Sequence, residues 1–162
     1  MKNNNSENTN PQADPADSSK IEEKSTGTPP GLEEYIDDFL EEFRQAIISI
    51  NKCLDLLDNK ADDIHSLDTL FRNAHNMKGG CNALGFPRLG GFFALIEAAI
   101  EPSKKRGLPF TAHTAAAVRK AALTLERAVE LLKETRSDSS LDLEEPSKAM
   151  KWALEKISAQ KA

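Results

Sequence analysis

The sequence is poor in the residues that staple, anchor or export a chain. Its two cysteines in 162 residues, Cys53 and Cys81, both fall within helical patterns and form no metal-ligand spacing. They read as small core residues, not as a disulfide, a redox pair or a metal site. Cations do not dominate either: 21 Lys and Arg stand against 26 Asp and Glu, for a net charge of -5. Without a basic cluster, nucleic acid is not an expected partner. No apolar run approaches the length of a membrane span, and the Asn-, Ser- and Pro-rich amino terminus carries no hydrophobic segment of a secretory signal. No membrane partner is expected, and a reducing, cytoplasmic setting fits these absences. Nor does any stretch alternate polar and apolar residues in the manner of a strand.

What is present is helix after helix. Residues 1–31 contain one large aliphatic residue after the initiator, Ile21, too little apolar surface to offset the entropy of ordering them. They read as a disordered tail. A bundle is expected over 32–162, with a core over 32–135. Its first helix begins near Leu32, with Leu32, Tyr35, Ile36, Phe39, Leu40, Phe43, Ala46, Ile47, Ile50, Leu54 and Leu57 forming one stripe. A second helix is expected over about 63–84, with Ile64, Leu67, Leu70, Phe71, Ala74, Met77 and Cys81 on its seam. The turn Gly85-Phe86-Pro87 joins it to a third over about 87–104, where Pro102 is expected to bend or fray the last turn. Thr111 is a candidate cap for a fourth helix reaching Thr135. Ser137 to Ser140 read as a polar loop, and a fifth helix is expected over about 143–160. The fold class is all-α: an antiparallel up-down four-helix bundle with an additional C-terminal helix and a disordered N-terminal tail.

His75 stands one position off the seam of the second helix, on the face that also carries Asp68, Arg72, Lys78, Gly79 and Asn82. Two glycines follow it within a turn or so, Gly79 and Gly80, each costing about 1 kcal/mol relative to alanine inside a helix. Gly79 reads as a patch left bare for a partner, and Gly80 as a site of close packing. Because the turn at Phe86 is short, the second and third helices are adjacent and antiparallel. His75 lies eleven positions before Phe86 and Glu97 eleven after it. At 1.5 Å per residue both sit roughly 16 Å from the turn, so a carboxylate comes level with the imidazole. A carboxylate accepting from Nδ1–H fixes the tautomer and leaves the Nε2 lone pair as a nucleophile. Lys78, one turn on, can balance the charge of an incoming phosphoryl group. No aspartate cluster for Mg²⁺ and no phosphate-cradling glycine loop occurs, so metal and nucleotide are expected on a partner.

The run Phe71-Arg-Asn-Ala-His75-Asn-Met-Lys78-Gly79-Gly80, followed by Leu84-Gly85-Phe86 and Leu95-Ile96-Glu97, resembles a histidine-containing phosphotransfer (HPt) domain. The likeness is to the amino-terminal phosphotransfer domain of chemotaxis histidine kinases, and covers roughly residues 32–135. The resemblance implies that His75 is phosphorylated at Nε2, with Lys78, Gly79 and Glu97 as the supporting lysine, small residue and imidazole-bonding glutamate. Ala94 departs from the pattern, standing where these relatives often carry a second histidine. The expectation is a free-standing phosphocarrier, not an enzyme, with no cofactor or metal of its own. It would pass a phosphoryl group between a histidine kinase or receiver domain and a response-regulator receiver aspartate. Asp68, Arg72, Gly79 and Asn82 would form the docking face, and a monomer is expected from the resemblance. The alternative is a helical-bundle interaction module that binds a receiver or kinase without carrying phosphate. His65 and His113 read as surface residues, and Trp152 as a packing residue of the last helix.

Overall fold

In the computed structural model, which describes residues 27–160, five α-helices follow one 3₁₀ turn at Glu33–Tyr35. They are α1 (Ile36–Asn59), α2 (Ile64–Ala83), α3 (Pro87–Arg106), α4 (Ala112–Thr135) and α5 (Glu144–Ala159). No strand occurs among the described residues. Most of the tail expected over 1–31 lies outside the described residues. Its last five positions are described, and the Gly27 N–H donates to the Gly85 carbonyl at 3.0 Å. Gly85 has φ +82°, and a Cβ there would strike the Gly27 carbonyl, so only glycine suits this crossing.

Local chemistry sets the helix ends. Asp63 caps α2 by accepting from the Ser66 N–H at 2.9 Å, and Thr111 caps α4 by accepting from the Thr114 N–H at 3.2 Å. The α3 helix starts with Pro87 at its first turn and ends at Gly107 in the left-handed conformation (φ +64°). Pro102 does not fray it. The ring forgoes one hydrogen bond to the carbonyl four residues back, yet is buried, and α3 continues to Arg106.

The α1, α2, α3 and α4 helices make the antiparallel bundle, and α5 seats against both α3 and α4. Met150, Ala153 and Ile157 carry its buried stripe. An aromatic cluster ties α1 to the site-bearing hairpin: Phe39 meets Phe43 at 5.9 Å and Phe86 at 6.4 Å between centroids, and Phe43 meets Phe93 at 5.4 Å. Burying each such ring stabilises the fold by about 2 kcal/mol. Cys53 and Cys81 are free and buried within this core, and burial pushes both thiols up.

Two seam residues of the sequence reading lie outside the core. Ile64 is 76% exposed and Tyr35 51% exposed, because each sits at a helix start beyond the reach of its neighbours. The loop over 137–140 is not simply polar and solvated. Asp138 is fully buried, and its Oδ2 accepts from the N–H groups of Arg88 at 2.7 Å and Leu89 at 3.0 Å. It supplies the N-terminal cap that α3 lacks from its own sequence, across about fifty residues of chain. Arg88 answers by donating through Nη1 to the Asp138 and Ser139 carbonyls.

Candidate functional site

The α2–α3 hairpin brings His75 and Glu97 to one height, as the count from Phe86 requires. His75 Nδ1 lies 3.4 Å from Glu97 Oε1. The imidazole is 59% exposed and the carboxylate 18% exposed, so the ring projects from a semi-enclosed anchor. No protein group hydrogen-bonds Nε2 among the described residues, and that nitrogen is left to solvent and partners.

Lys78 reaches the same carboxylate. Its Nζ lies 2.6 Å from Glu97 Oε2, a close charge contact. The lysine read from sequence as a counter-charge for phosphate is therefore engaged with Glu97 in the resting site. Burial pushes the Glu97 carboxyl up, but Lys78 and His75 together outweigh it and hold the group below the usual carboxylate value. Glu97 is thus ionised at neutral pH and can accept a hydrogen bond from Nδ1–H.

The two glycines divide as their positions imply. A Cβ on Gly79 would meet nothing within 4 Å, whereas one on Gly80 would lie 2.5 Å from Cε2 of the buried Phe39 ring. Asn82 is exposed, and its side chain occupies space over α3 that exists because residue 90 is glycine. Asp68 and Arg72 are paired with each other, Nε to Oδ2 at 2.7 Å, and Asp68 Oδ1 also meets Lys104 Nζ at 2.8 Å. Ala94 is partly buried. His65 is exposed. His113 is exposed too, and meets the ring of Trp152 edge-on with centroids 5.0 Å apart. Trp152 itself is 45% exposed, half a packing residue at most. Two neighbours escaped the sequence reading: Phe71, stacked on His75, and Lys104, above Phe71. Their signals were present. Phe71 precedes His75 by four, and Lys104 follows Phe86 by eighteen just as Asp68 precedes it by eighteen.

No group of three His, Cys, Asp or Glu side chains among the described residues is placed to hold a metal ion. No helix among them is long and apolar enough to cross a membrane.

An antiparallel helical hairpin within a bundle, displaying a half-exposed imidazole backed by its own carboxylate and lysine, defines the class: a histidine-display domain. The Hpt domain family matches residues 34–159. The chain belongs to that family, whose members are phosphocarrier modules. A curated relative is the chemotaxis protein CheA of Halobacterium salinarum, 25% identical over 80 residues, which are 49% of this chain and 12% of that one. The likeness therefore spans about an eighth of the relative's length. Among solved structures, the phosphorylated P1 domain of CheA3 in complex with CheY6 from R. sphaeroides shares the fold. Its TM-score is 0.69 at 22% identity, covering 78% of this chain and 97% of that one.

Proposed function

We propose that this protein is a cytoplasmic phosphorelay intermediate that carries a phosphoryl group on His75. The observation that carries the reading is the half-exposed imidazole whose Nδ1 faces ionised Glu97 while Nε2 has no protein partner among the described residues. In the accepting step the Nε2 lone pair attacks phosphorus of a receiver phosphoaspartate or a kinase phosphohistidine. The P–N bond forms as the donor's P–O or P–N bond breaks, and the donor keeps that electron pair. Glu97 steadies the Nδ1 proton throughout. In the donating step a receiver aspartate oxygen attacks phosphorus, the P–N bond breaks, and its electrons return to Nε2. Lys78, already beside the site, offsets phosphoryl charge as it forms.

The docking face would be built from Arg72, Gly79 and Asn82, with Asp68 at its edge. The solved relative, a P1 domain in complex with CheY6, supports a receiver domain as the partner. Mg²⁺ would be supplied by that receiver or by the kinase.

The test is labelling. Wild type and His75→Gln are incubated with a histidine kinase, labelled ATP and Mg²⁺. Acid-labile, base-stable label on wild type alone, chased off by an added receiver domain, is the expected result. A folded wild type that binds a receiver yet takes no label from several kinases would make it a binding module that carries no phosphate.

A further inference from the structure

His75 has a neighbour besides its carboxylate. Phe71 lies one turn earlier on α2, where side chains four residues apart meet. The two rings are nearly parallel, 11° between planes and 6.2 Å between centroids. That is the separation of offset-stacked rings. From α3, Lys104 places Nζ 4.2 Å from the Phe71 centroid, and Lys105 lies 5.5 Å from it. Lys104 is itself held, its Nζ 2.8 Å from Asp68 Oδ1, while Arg72 closes on the other Asp68 oxygen at 2.7 Å. Lys104, and after it Arg72, hold the Asp68 carboxyl below the usual carboxylate range against the opposing effect of desolvation.

The imidazole needs such a neighbour. Its contact to Glu97 is long, 3.4 Å, and the carboxylate leans toward Lys78 at 2.6 Å. Rotation about the bond to the ring is soft in histidine, and it is the motion that swings Nε2 away from an incoming phosphorus. One long contact at Nδ1 leaves much of that rotation open, whereas an aromatic face beside the ring plane restricts it.

We propose that Phe71 is a positioning residue for the phosphoacceptor: its ring, pinned by Lys104 on Asp68, sets the plane of the His75 imidazole and so the direction of Nε2. The kinetic consequence rests on the carrier reading; the placement of the ring does not. Asp68 and Lys104 thereby act through Phe71 and not on the phosphoryl group itself.

The full chain is compared with Phe71→Leu, Phe71→Tyr and Lys104→Met, each checked for folding by thermal melting. Proton shifts of the His75 ring report the stack, and the rate of kinase-dependent labelling reports its use. Phe71→Leu should remove the shielding of the His75 ring protons and slow labelling by about tenfold. Phe71→Tyr, which keeps the ring face, should recover both. Lys104→Met should move the same proton shifts part of the way. Unchanged His75 shifts in Phe71→Leu, or labelling at the wild-type rate in that folded variant, would overturn the proposal. If Phe71→Leu does not fold, unchanged shifts in Lys104→Met overturn the pinning. A wild type that takes no label sinks the carrier reading instead, and the ring-proton shifts still decide the placement of His75.

Discussion

Lys78 and Glu97 close at 2.6 Å, nearer than the same carboxylate approaches His75. The lysine and the imidazole share one anion, each on its own oxygen, and removing the lysine should leave that anion to the histidine alone. In Lys78→Met, nitrogen shifts of the imidazole should move toward the Nδ1–H tautomer as Glu97 turns to its remaining partner. On the proposed carrier reading, labelling should nonetheless slow by about tenfold, because the cation that would stand beside the phosphoryl group is gone. Helicity should stay at the wild-type level; its collapse would show that Lys78 supports the fold more than the chemistry.

Glu97 also links the site to acid stability. Its folded-state value lies below that of the unfolded chain, so its contribution is fully present above the unfolded value, about 4.3. The contribution is lost as pH falls through the depressed folded value. Urea unfolding of wild type between about pH 6 and pH 2 should show stability declining on that limb. Glu97→Gln should flatten the decline, since the amide has no proton to take up. An equally steep limb in the variant would mean that other carboxylates set it.

Alanine at the two neighbouring glycines should act with opposite signs. Gly79→Ala adds a methyl in open space and should raise stability by up to about 1 kcal/mol. Its cost is expected in transfer to a receiver, because the methyl would stand on the proposed docking face. Gly80→Ala drives a methyl into the buried Phe39 ring and should lower stability by about 1–2 kcal/mol, the overpacking outweighing the gain in helix propensity. Thermal melts of the pair, read side by side, check both signs.

Asp138 should prove a stability residue remote from the chemistry. Asp138→Ala orphans the Arg88 and Leu89 N–H groups at the start of α3 and should cost about 1–3 kcal/mol. Hydrogen exchange at those two amides should accelerate more than exchange in α1. Asp138→Asn, which keeps an acceptor oxygen, should lose less.

The helices and the pairing of His75 with Glu97 were legible because both follow from periodicity and a short turn. Eleven residues either side of Phe86 is a geometric statement that packing only has to respect. Gly80 was legible as a site of close packing because glycine in a helix calls for a reason, and the Phe39 ring supplies it. Asp138 was not legible. A cap supplied from about fifty residues away leaves no local signature, and a serine-rich loop hides one buried aspartate well. The fraying half of the Pro102 expectation failed because the local rule about helix interiors does not count the burial of the ring, and α3 runs on to Arg106. The division of the Glu97 oxygens between Lys78 and His75 turns on ångströms that no spacing rule resolves. The seat of α5 between α3 and α4 depends on the shape of a groove, which exists only once four helices have assembled.

The burial of Cys53 and Cys81 makes the folded protein close to inert toward thiol reagents, since neither sulfur is accessible and burial disfavours both thiolates. A cysteine introduced at an exposed position beside His75, such as Asn76→Cys, would therefore take a fluorophore selectively with the native pair left in place. The core doubles as a built-in protecting group, and a reporter one residue from His75 could follow a partner's arrival and departure in real time.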